Sequence, residues 1–137
     1  MQITIEGIAE LREALLHLPA ALRDEARFYV KAHADVAEQA VAAVYPEGSG
    51  RLRGLRNSLY TRDSFGAAGI RVTLLSRSPI AWIYENGTEF RHKAIGASTG
   101  RMPAAHAFIP IVIRERRALV ADLIALVERA GLVVHGG

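Results

Sequence analysis

Apolar residues recur every three or four positions through the first third of the chain. Ile8, Leu11, Leu15 and Leu18 share one helical face. Before them, Ile3 and Ile5 alternate with polar neighbours over Gln2–Glu6, which predicts a short strand or extended lead-in. Pro19 either ends the first helix or opens a second at its first position. No Gly or Pro then intervenes until Tyr45, and Leu22, Ala26, Tyr29, His33, Val36, Ala40 and Val44 step along one face. That spacing predicts one long helix of about 40 Å at roughly 1.5 Å per residue. Arg23, Asp24, Arg27, Lys31, Asp35 and Glu38 form its polar face.

The period changes after PEGSG (46–50), a Pro/Gly-rich stop. Leu52, Leu55 and Leu59 suggest a turn or two of helix, or entry into a strand around Asn57–Arg62. Asp63–Gly69 reads as a turn, and the alternation of Ile70, Val72 and Leu74 predicts a strand over 70–76. Ser78-Pro79 has the chemistry of a helix start, with Gly87 just past its end. The alternative is a strand presenting Ile80, Trp82 and Tyr84, turning at Asn86-Gly87. Residues 91–106 show no period and read as a long loop; Phe108, Ile109 and Pro110 close it. A final helix runs from Pro110 to about Ala130, with Ile113, Leu119, Val120, Leu123, Ile124 and Val127 apolar and Gly131 as its stop. Its polar face carries Arg114, Glu115, Arg117, Asp122 and Glu128.

These elements predict an α+β fold: a small, mainly antiparallel sheet packed against a long N-terminal helix and a C-terminal helix. The expected division of a single domain, 1–137, is a helical part (1–45), strands and turns (46–90), the loop (91–106), and a strand end with the last helix (107–137). A chain of 137 residues buries enough surface to fold without staples.

Composition removes several chemistries. The chain has no cysteine, so disulfides, thiolate metal sites and cysteine catalysis are out. Neither a leader nor a membrane span is expected, because Glu6, Glu10, Arg12 and Glu13 interrupt the apolar residues at the N-terminus. The expectation is a protein made and kept soluble inside a cell. Residues 47–101 hold nine Arg or Lys against four acids, a surplus of five, while the whole chain carries +3. The two ends together are therefore at −2. A basic middle suits DNA or an acidic protein surface, and equally a solvated face.

No catalytic or cofactor motif survives inspection. GASTGR (96–101) lacks the spacing and the Lys-Ser/Thr pair of a phosphate-binding loop. The five histidines, His17, His33, His92, His106 and His135, are scattered without metal-ligand spacing. His33 reads as a hydrogen-bonded core residue. Glu85 and Glu89 lie four positions apart, but Gly87 between them argues against a helical acid/base pair. No cofactor, metal or catalytic residue is expected, which points to binding or assembly.

Three separated stretches, YPEGSGRLRGLRNSL (45–59), SPIAWIYENGTEF (78–90) and AHAFIPIVIRERRALVADLIALVERAGL (105–132), resemble blocks of the tail-completion, or head–tail joining, proteins of tailed bacteriophages. In the first block Pro46, Ser49, Gly50, Leu52, Ser58 and Leu59 match; in the second, Ile80, Ala81, Glu85, Gly87 and Thr88. In the third Phe108 and Pro110 match, whereas alanine or histidine stands at an expected proline and Ile111 replaces an alanine. The blocks keep the family's order over about residues 45–130. The resemblance implies a non-enzymatic virion part at the neck, made in the bacterial cytoplasm and forming a ring with copies of itself. Head-connector and tail proteins would be its other partners, with DNA only as passing cargo and no membrane or small-molecule substrate. Arg91, His92, Lys93 and Arg101 are the candidate partner contacts on the 91–106 loop. A basic nucleic-acid-binding module and a related tail-terminator protein are the alternatives.

Overall fold

A computed structural model describes residues 17–48, 52–66, 69–92 and 98–131. The strand expected at Gln2–Glu6, and all but the end of the helix expected over Ile8–Leu18, lie outside the described residues.

Helix α1, Ala20–Val44, is the organising element. Pro19 precedes it, and its carbonyl accepts from the Leu22 and Arg23 N–H groups, both at 3.0 Å. The helix stops at Tyr45, whose φ −72° and ψ 139° are extended. The residue before a proline is driven out of the α region by the pyrrolidine ring, and here that proline is Pro46.

The expected α1 stripe holds in its first half, where Leu22, Ala26 and Tyr29 meet the core, and is displaced in its second. Ala26, Ala37 and Val41 are buried, whereas Val36 and Val44 are 47% and 51% exposed. Alanine is frequent on several faces of α1, so sequence periodicity alone left the line of burial ambiguous. The two neighbours of α1 settle it.

One neighbour is α3, Phe108–Arg129, which runs antiparallel to α1. Where its N-terminus was expected after Pro110, the helix begins at Phe108, so a strand end around 107 is not found. Proline is tolerated in the first turn of a helix because the N–H groups there have no intrahelical acceptor. Gly131, at φ 78°, follows its end, and its N–H donates to Glu128 O at 2.9 Å.

The other neighbour is the ribbon of β1, Leu59–Gly66, and β2, Gly69–Ser76. It pairs antiparallel without a bulge, from Leu59↔Ser76 to Gly66↔Gly69. The turn expected over Asp63–Gly69 is corrected: Asp63–Gly66 is strand and Gly69 opens β2, while 67–68 lie outside the described residues. Side chains alternate across the ribbon. Leu59, Ile70 and Leu74 join the core, and Lys31 of α1 donates to Thr61 Oγ1 at 3.1 Å.

The expected 91–106 loop is also corrected. Thr88–His92 (β3) pairs with Ser98–Met102 (β4) in a second, irregular antiparallel hairpin, leaving 103–107 as the nonhelical link to α3. Backbone pairing makes this hairpin, so its sequence shows no apolar alternation. The fold is α+β as expected, with the sheet present as two separate ribbons among the described residues.

Two apolar clusters sit at opposite ends of α1. Leu18, Ala26, Leu123, Leu126 and Val127 build one. Val41, Tyr45, Leu55, Leu59, Ala81 and Phe108 build the other. Between them lies His33. Its Nε2 is 2.9 Å from Asp122 Oδ2, and its Nδ1 is 3.4 Å from Glu115 Oε2. The expectation of a hydrogen-bonded histidine fits this. Glu115 was expected on a solvated face but has a side chain only 14% exposed.

Candidate functional site

The residues around YENGTEF build the most tightly specified part of the structure. The Ser78 hydroxyl accepts from the Ile80 N–H at 3.3 Å, and α2 follows as Ile80–Asn86. The helical alternative for this stretch is thus the one observed. Gly87 ends it at φ 72°, with its N–H on Ile83 O at 2.7 Å. A Cβ at Gly87 would stand 2.7 Å from both Ala104 N and Met102 O. Only glycine meets both requirements, a left-handed φ and a backbone at contact distance.

That close approach fastens 84–88 to 102–108. The Met102 N–H donates to Thr88 Oγ1 at 3.1 Å, and the Ala105 N–H to Tyr84 O at 3.0 Å. The His106 N–H donates to Glu85 O at 3.3 Å. The Glu85 carboxylate then accepts from the Phe108 N–H, which lies 3.1 Å from each of its oxygens.

Glu85 is the one buried charged residue among those described, at 4% exposure. It caps α3 from another segment. Its negative charge also faces the positive end of the helix dipole. The chain's own cap position, Ala107, has no side-chain oxygen to offer.

Tyr45 lies against this cap. Its ring packs edge-on against Tyr84, with centroids 5.2 Å apart. Its hydroxyl is buried without a hydrogen bond of acceptable geometry. Burial first, and then the nearby Glu85 carboxylate, push the phenol pKa far above its ordinary value of 10. The phenol therefore stays protonated, and Glu85 serves as the structural acceptor for the Phe108 N–H. Glu89 is exposed on β3, beyond Gly87, so the two glutamates do not form an acid/base pair.

The expected site residues divide clearly. Leu52, Ala81 and Phe108 meet in the cluster around Tyr45, while Glu85, Gly87 and Thr88 form the adjoining fastening. Pro46 is half-buried, and Pro110 is exposed in the first turn of α3. Gly50 and Lys93 lie outside the described residues. Arg91 and His92 belong to β3 and Arg101 is exposed on β4, so they sit on a paired hairpin instead of an open loop. Tyr45 is not one of the motif positions in the sequence; its one signal there is a large aromatic at a helix end beside a proline.

Among the described residues, no helix is long and apolar enough to cross a membrane, and no group of His, Asp or Glu is placed to hold a metal ion. The chain matches no protein-family model, and neither a curated protein nor a solved structure matches it.

Proposed function

We propose that the protein is a non-enzymatic virion component of a tailed bacteriophage or prophage, acting in head–tail joining as a ring-forming neck subunit. The observation that carries this reading is the convergence of the three stretches that resemble that family. Leu52, Leu55 and Leu59 of the first meet Ala81 of the second and Phe108 of the third in one cluster. Glu85, Gly87 and Thr88 then bind the second stretch to the third. Leu52, Leu59, Ala81, Glu85, Gly87, Thr88 and Phe108, all among the residues that carry the resemblance, build a single joint. A carboxylate enclosed on a backbone N–H supports a scaffold role better than proton transfer.

Closed rings need heterologous contacts, one patch meeting a different patch on the next copy. The test is electron microscopy of the purified protein mixed with purified phage connector and tail proteins. Rings seated between connector and tail are expected. Failure to associate with either, or tight DNA binding at physiological salt that collapses as salt rises, would overturn the reading in favour of a nucleic-acid module.

A further inference from the structure

The β1–β2 ribbon has one face on α1 and one face turned away. Leu59, Thr61 and Asp63 point inwards, with Asp63 3.8 Å from the Lys31 ammonium. Strand alternation therefore places Tyr60, Arg62 and, on β2, Arg71 and Leu75 on the outer face. Arg62 and Arg71 are exposed and diagonal neighbours across the ladder. Just past β2, the Arg77 guanidinium covers the Tyr60 ring at 4.5 Å. Arg77 also borders a cavity of about 290 Å³ whose apolar walls include Pro79, Ala81, Trp82 and Phe108. Trp82 stands at the rim, 61% exposed.

From Leu59 to Trp82 the chain has one acid, Asp63, and it faces the other way. Among the described residues none of the three arginines has an ion pair. Several carboxylates elsewhere are already engaged: Asp24 with Arg27, Glu25 with Arg129, Asp35 with Lys31, Glu47 with Arg56. Among the described residues the glutamates without an ion pair, Glu38, Glu89 and Glu128, stand far apart in the chain, so a second copy offers no acidic segment from them. A nucleic-acid backbone would satisfy the arginines but leave the apolar cavity unfilled. A protein segment satisfies both.

We propose that the outer face of the ribbon, from Arg71 through Tyr60 and Arg77 to the cavity at Trp82, docks an acidic segment of another protein that inserts one aliphatic side chain beside Trp82. Trp, Tyr and Arg next to an apolar pocket, here exposed Trp82 and half-buried Tyr60 with Arg77, are the residue types that concentrate binding energy at interfaces. Arginines on the rim steer an acidic partner and fix its register. The assignment does not depend on the neck reading, because it rests on the chemistry of the face alone.

Trp82 is the one tryptophan in the chain, so its fluorescence reports on the face directly. The probe is a short synthetic peptide of aspartate and glutamate around a single leucine, titrated into the full chain. A saturable blue shift of Trp82 emission is expected. The double variant Arg62→Glu with Arg71→Glu, at exposed positions and checked by circular dichroism, should weaken binding about tenfold or more. Replacing the peptide's leucine with glycine should also weaken it. An absent shift, or one unaffected by either change, overturns the proposal. So does an equal shift with duplex DNA of matched charge, which would mark a nucleic-acid face. A shift on concentrating the protein alone, which would mark self-association, overturns it as well.

Discussion

Removing the Glu85 carboxylate should loosen the joint between α2 and α3. In Glu85→Ala the Phe108 N–H loses its acceptor inside a buried site. A hydrogen bond to a charged group contributes about 1.5–3 kcal/mol. The favourable placement at the helix N-terminus adds up to about 1 kcal/mol. Relief from burying a carboxylate offsets part of this. The expected loss is about 3 kcal/mol, a large share of a typical stability of roughly 5–15 kcal/mol. Glu85→Gln keeps an acceptor oxygen and nearly the same shape, and should lose only about 1 kcal/mol. Urea denaturation measures both: the midpoint should fall while the slope stays constant. Amide exchange should accelerate at Phe108 in the alanine variant more than at Leu126, which sits in the other cluster. Two results would refute the reasoning. One is an alanine variant within about 0.5 kcal/mol of the parent, the scale of an ordinary surface change. The other is a glutamine variant as damaged as alanine, since charge and not the acceptor would then hold the joint.

Three further outcomes follow from neighbouring contacts. Gly87→Ala must combine a left-handed φ with a Cβ at 2.7 Å from two backbone atoms, so it should cost at least about 2 kcal/mol by thermal melting. Tyr45→Phe removes a hydroxyl that is buried without a partner and should be neutral or stabilising by up to about 1 kcal/mol in urea. The same substitution has a pH signature. The phenol pKa is raised on folding, so its contribution is fully present below the unfolded value of 10 and is lost as pH rises above it. Above pH 10 the parent should lose stability faster than the variant, by up to about 1.4 kcal/mol per pH unit. A double-mutant cycle on His33 and Asp122 should give a coupling no larger than about 1 kcal/mol, because Asp122 is half exposed. A value near zero would mean that the contact orders the interface without stabilising it.

Much of this arrangement could be read from the chain. The long helix, the strand over 70–76, the Ser78-initiated helix and the last helix all carry local signals: an uninterrupted period, an alternation, a cap, a terminal glycine. What could not be read lacks a local signal. The buried line of α1 depends on which neighbours it meets, and alanine on several faces fits more than one answer. The stretch RHKAIGASTGRM (91–102) carries no apolar alternation, so the β3–β4 pairing left no pattern to read there. His33 finds Glu115 and Asp122 only because α3 folds back antiparallel. The spacing of seven between those two acids was the visible hint that they share a face.

Glu85 is the instructive case, because an absence in the sequence pointed to it. Helix α3 needs an acceptor at its start. The preceding residues, PAAHA (103–107), contain no Ser, Thr, Asp or Asn to supply one. A long amphipathic helix without a local cap must borrow one, and a carboxylate before a glycine turn is a suitable lender. Gly87 is what lets the two backbones come close enough for the loan, since any Cβ there would hold Ala104 away. The glycine and the glutamate therefore act as one device: the first sets the approach and the second uses it. The start of α3 is then tied to the end of α2 instead of to its own preceding residues. A substitution at either position should disturb the same amides, Ala105 through Phe108, and combined variants should cost less than the sum of the single ones.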